Sequence, residues 1–137
     1  MFTLPFLLLL AACGPEKKAL RETHREEATL TERADRCWAA LRWGDTAAAS
    51  ACVSETDDRV AYERWVASAS AEKRLTETTV IRVAVGAPLD PPQNGRVREA
   101  TVVVRAESYG VRDQVLHSET VVQRWYKDEH DWYVEWP

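Results

Sequence analysis

The sequence predicts an α+β domain in which N-terminal helices pack on a curved antiparallel sheet of four strands. Apolar residues recur at helical spacing in the first half, with Leu30, Ala34, Cys37, Trp38 and Leu41 the clearest set. After Leu75 the period changes to alternation. Helices first and strands second is the order of an α+β layout. The 137 residues, 45% of them hydrophobic, suit one domain with one core.

The first helix is predicted over residues 19 to about 42, rich in i,i+4 charge partners and sparsely apolar in its first half. That half reads as a solvated face, or as a segment that projects from the core toward the membrane or contacts another chain. Gly44 suits a helix end and Asp45 an N-cap, so 46–53 reads as a short second helix. Thr56 and Asp57 can cap a third, whose Tyr62, Trp65, Val66 and Ala69 share a face and whose last turn carries Lys73 and Arg74. Thr79, Ile81, Val83 and Val85 are expected to point one way on the first strand, and Val102, Val104 and Ala106 on the second. Pro88, Pro91, Pro92 and Gly95 make 86–96 a connection. A third strand over 115–126 and a fourth over 132–136, joined through Lys127-Asp128-Glu129-His130-Asp131, complete a meander.

Residues 1–12 carry no charge and have the texture of a secretory leader, although no Lys or Arg precedes the apolar run. The stretch is too short to span a bilayer, which takes about 20 apolar residues, because charge begins at Glu16. Its end, Leu10-Ala11-Ala12-Cys13, resembles the lipobox of bacterial lipoproteins. The resemblance implies cleavage after Ala12, a diacylglycerol thioether on Cys13 and an acylated new amino terminus. Residues 13–18 are then a lipidated cysteine and short tether that keeps the domain, 19–137, close to the membrane. Gly14 stands where an Asp would favour the inner membrane, so an outer-membrane site facing the periplasm is the expectation.

Several function classes are disfavoured. The net charge is −4, with basic residues interleaved among acidic ones along the chain, which argues against nucleic acid as a partner. His24, His117 and His130 lack metal-ligand spacing, and 128–131 lacks the glycine and terminal Glu of a calcium loop. No Gly-x-Ser-x-Gly elbow occurs. Neither metal nor cofactor is expected.

With Cys13 assigned to lipid, Cys37 and Cys52 remain, seven residues before Gly44 and seven after Asp45. Antiparallel helices joined there would bring them to similar heights, and a bridge closing about 15 residues is worth about 3 kcal/mol. Two buried free thiols are the alternative.

Two stretches resemble the nuclear transport factor 2-like superfamily, of cystatin-like or ketosteroid-isomerase-like architecture. One is Cys37-Trp38-Ala39-Ala40-Leu41-Arg42-Trp43-Gly44-Asp45-Thr46-Ala47-Ala48-Ala49; the other is Gln123-Arg124-Trp125-Tyr126 followed by Asp131-Trp132-Tyr133-Val134. The resemblance implies a cone whose sheet and helices can enclose a pocket, used by isomerases, by cyclases and by binding or assembly domains. Fold alone chooses none of these.

For chemistry, His117 and Glu119 lie two apart on one strand face, where a carboxylate can orient an imidazole as general base. Tyr109 in the preceding turn, Arg82 and Tyr62 are candidate donors to a carbonyl. A solvated pair is the plainer reading. Trp125, Tyr126, Trp132, Tyr133 and Trp136 are expected in cross-strand core packing, with a ligand cleft or docking surface as the alternative. Trp43, at a helix junction beside Arg42, would mark contact with a partner or the membrane interface if exposed. The leading expectation is a non-enzymatic, membrane-anchored envelope domain for a protein partner or small apolar ligand. A small isomerase or cyclase, and a structural protein associating through its first helix, are the alternatives.

Overall fold

Helix α1 (Pro15–Trp43) begins on a proline, whose missing N–H would be unsatisfied in a first turn anyway. The computed structural model describes residues 14–55 and 57–136, so Cys13 and the leader lie outside the described residues. The first helix, expected from residue 19, starts earlier: Pro15 opens it, and the good helix formers Glu16 to Ala19 continue it. At the other end Gly44 adopts φ 68°, a left-handed conformation that lets its own N–H reach Leu41 O at 3.3 Å and the Asp45 N–H reach Ala40 O at 2.9 Å.

Asp45 then caps α2 (Thr46–Ser50), accepting from the Ala48 N–H at 3.1 Å. This helix stops short of the expected Val53, and the Cys52 carbonyl instead accepts from the Val134 N–H at 2.9 Å. Helix α3 (Arg59–Glu72) is capped by Asp58, one residue beyond the expected Asp57. Asp57 is engaged elsewhere, accepting from the Tyr126 hydroxyl at 3.4 Å, and Thr56 lies outside the described residues. Lys73 and Arg74 belong to the first strand rather than to the last turn of α3, because they pair with Gly110 and Tyr109.

Strands β1 (Lys73–Val85), β2 (Arg98–Gly110), β3 (Leu116–Lys127) and β4 (Trp132–Val134) form an antiparallel sheet in that order. It remains open, with no pairing between β1 and β4. Ala100, Val102, Val104 and Ala106 of β2 face the helices and are buried with Trp125 and Trp132. On β1 the expected alternation fails. Bulges between Leu75 and Glu77 and between Val80 and Arg82 each insert a residue, so Val80 and Val83 turn inward while Thr79 and Ile81 turn outward.

The helix layer also closes the β4 edge. Arg33 donates from Nε to Trp132 O at 3.3 Å and from a terminal nitrogen to Ala51 O at 2.9 Å. β4 ends at Val134 rather than at 136, and Trp136 leaves it to pack its ring on Tyr62 and Trp65 at 5.0 and 5.1 Å. Cys37 and Cys52 form a disulfide with Cα atoms 6.1 Å apart, tying α1 to the segment after α2. The alternative of two free thiols is thereby removed.

One ionic cluster fixes where α1 leaves the sheet. Glu26 accepts from Lys127 Nζ at 2.6 Å and from Trp132 Nε1 at 3.0 Å, beside the buried Arg98, whose guanidinium donates to Gly86 O at 3.2 Å. Burial alone would raise the Glu26 pKa, but the bonds from Lys127 and Trp132 and the nearby cations outweigh it and hold the carboxyl below its ordinary value. Preceding residues 15–22 of α1 are exposed.

Candidate binding face on the sheet

Around Gln123 the inner face of the sheet is filled by side chains. Trp38 on α1 and Trp125 on β3 both donate their indole N–H to Gln123 Oε1, at 3.1 and 3.2 Å, and their rings are buried. These contacts place side chains in the space that a cone-shaped pocket would occupy.

The residues expected to carry catalysis do not converge. His117 does lie on the inner face of β3, opposite the buried Ser108, but its carboxylate partner is Asp113 and not Glu119. Asp113 Oδ2 is 2.8 Å from His117 Nε2, and Oδ1 accepts from the Val115 N–H at 3.0 Å. Those contacts, the backbone bond first, hold the Asp113 carboxyl below its usual range. The same carboxylate folds back over Gly110, where any Cβ would collide with it. The pair therefore shapes an exposed hairpin end.

Glu119 is exposed and makes no hydrogen bond to His117 among the described residues. Tyr109 is a strand residue of β2, not a turn residue, because β2 runs on to Gly110. It points to the outer face with Arg82, the opposite side from His117. Tyr62 sits in the helix layer, where burial pushes its hydroxyl up to about 12. Trp125, Tyr126 and Trp132 are buried, as the packing reading expects, whereas Tyr133 and Trp136 are half-buried. Trp43 is 77% exposed at the end of α1, with the Arg42 guanidinium 5.2 Å from its ring centroid.

The outer face of the sheet is the feature that single residues in the sequence did not disclose. Its central row runs from Ile81 and Arg82 on β1 through the half-buried Val103 on β2 to Val122 on β3. Ile81 is 48% and Val122 65% exposed. The bulge at Ile81 is what adds a second side chain to the row. Threonines border it, Thr101 on one side and Thr79 and Thr120 on the other.

Three exposed arginines lie in or beside this row: Arg82 within it, Arg105 in the next row and Arg124 in the preceding one. None forms an ion pair among the described residues. Beside Arg124 lies an open depression of about 370 Å³, crossed by Arg96, which pairs with Glu99 at 3.7 Å and Glu135 at 3.5 Å. Farther along the same face Tyr109 and Leu116 stand opposite each other and are exposed.

An apolar strip that carries Arg82 and is flanked by Arg105 and Arg124, with Glu77 and Glu107 on the same face beyond Arg105, can accept a complementary surface that brings apolar side chains and carboxylates together. No group of three or more His, Cys, Asp and Glu capable of holding a metal occurs among the described residues. No helix among them is long and apolar enough to cross a membrane. Comparison with protein families, curated proteins and solved structures finds no match for this chain.

Proposed function

We propose that the protein is a lipid-anchored envelope lipoprotein whose domain is a non-enzymatic binding module. The outer face of its sheet docks a protein segment with apolar and acidic side chains. The observation that supports this reading most is the row Ile81–Val103–Val122, exposed at both ends, with Arg82 in it and Arg105 and Arg124 flanking it. A small apolar ligand is less well served, because sites for small ligands are concave and bury most of the ligand surface. Here the face is a strip beside an open depression.

Anchoring rests on Leu10-Ala11-Ala12-Cys13, with the domain on the periplasmic side of the outer membrane. Each buried acyl methylene contributes about 0.8 kcal/mol, so several chains on Cys13 hold the protein stably. The anchor is tested by metabolic labelling with a fatty-acid analogue. Incorporation that disappears in Cys13→Ser supports it, and a native protein that takes up no label removes it. The docking face is tested separately, by crosslinking from Val122 in wild type and in arginine-reversed variants.

A further inference from the structure

Basic residues that look interleaved along the sequence are sorted by the rotation of α1. At about 100° per residue, Lys17, Lys18, Arg21, His24 and Arg25 fall within an arc of about 120°. The centre of that arc lies about half a turn from Leu30, Ala34, Cys37 and Leu41, which pack toward the sheet. Between Gly14 and Arg25 four Lys and Arg side chains meet only Glu16 and Glu22, in a chain of net charge −4. Lys17, Lys18, Arg21 and Arg25 are exposed and make no ion pair among the described residues. Farther along the same face come Glu32, Asp35 and Arg36, and then Arg42 and Trp43 at the helix end.

We infer that this outward face of α1 lies along an anionic phospholipid surface, with the basic arc on headgroup phosphates at one end and Arg42 and Trp43 in the interface at the other. Cys13 is the residue before Gly14, so an acyl anchor would deliver the arc directly to the bilayer; to that extent the inference rests on the proposed lipidation. Charge complementarity selects the occupant, since juxtamembrane basic clusters bind anionic leaflets and Trp favours the headgroup region. The geometry agrees with the docking face described above. With α1 against the bilayer, the sheet lies on the other side of the helix layer and its outer face is turned away from the membrane.

The test uses the full chain carrying Cys13→Ser, so that acyl chains do not mask the contact. Cosedimentation is measured with vesicles of phosphatidylglycerol and phosphatidylcholine in equal parts, and with phosphatidylcholine alone. Leader residues contribute to both, and the difference isolates charge. Each cation near an anionic surface raises partitioning about fivefold, so Lys17→Ala with Arg21→Ala is expected to cut the phosphatidylglycerol preference about 25-fold. Raised salt should erase that preference, and Trp43→Ala should weaken binding to both vesicles, with circular dichroism confirming the fold of each variant. A preference for phosphatidylglycerol that survives Lys17→Ala with Arg21→Ala overturns the inference, as does tighter salt-sensitive binding to a single-stranded oligonucleotide than to these vesicles. Fatty-acid labelling of the wild-type chain reads the anchor independently: label without phosphatidylglycerol preference removes the membrane contact of α1 alone, and preference without label supports that contact while removing the anchor alone.

Discussion

Trp38 and Trp125, one on the first helix and one on the third strand, donate to the same oxygen, Gln123 Oε1, at 3.1 and 3.2 Å. This shared acceptor joins the helix layer to the sheet. Gln123→Leu would leave two buried indole N–H groups without a partner, each costing about 1 to 3 kcal/mol. A loss of about 2 to 6 kcal/mol in urea denaturation is expected, larger than that from Trp38→Phe, which removes one donor and leaves the other satisfied.

Glu26 links stability to pH. Its folded-state pKa lies below that of the unfolded chain, so its contribution is complete above the ordinary value of 4.5 and is lost as pH falls through the folded value. Glu26→Gln keeps the shape and removes the charge that Lys127 and Arg98 face. The variant should be about 1 to 3 kcal/mol less stable than wild type at neutral pH, and the difference should shrink toward about pH 3. Denaturation curves at the two pH values check both signs.

Cys37 and Cys52 are separated by 15 residues, and closing that loop is worth about 3 kcal/mol of unfolded-state entropy. Alkylation of the unreduced protein should modify neither thiol. The double variant Cys37→Ala and Cys52→Ala should unfold at lower urea, by about that amount.

These elements differ in how far the sequence revealed them. The helix junction was legible, because Gly44 and Asp45 are the residues a left-handed helix end and an N-cap require. So were the inward Val102, Val104 and Ala106, whose strand has no bulge to shift its alternation. Ile81 was misplaced because a bulge is a tertiary choice that reverses parity without a local residue signal. The group of Arg82, Arg105 and Arg124 was hidden for a related reason, since it comes together only through the register of three strands. The basic arc of α1 needed the helical rotation to appear. His117 was given the wrong partner, because Asp113 returns to it through the turn at Gly110, and the direction of its strand face was not legible from alternation alone.

His117→Ala provides the contrast with an enzyme. A general base contributes about 10²- to 10⁴-fold to rate, whereas an exposed pair that shapes a hairpin end contributes to local order. The variant is expected to fold, to retain the cellular role of the protein, and to show faster amide exchange only around residues 110–117. A folded His117→Ala protein with a null phenotype would favour the isomerase or cyclase reading.

The docking claim is tested most directly by photo-crosslinking in cells from a benzoylphenylalanine placed at Val122, the most exposed apolar residue of the central row. One discrete adduct with a second, acidic protein is expected, abolished when Arg82, Arg105 and Arg124 are changed together to Glu in a chain that still folds. Removing an interfacial guanidinium weakens binding, and reversing its sign adds repulsion of about several kcal/mol between like charges. No adduct at Val122, an adduct only with another copy of this chain, or an adduct indifferent to charge reversal would contradict it.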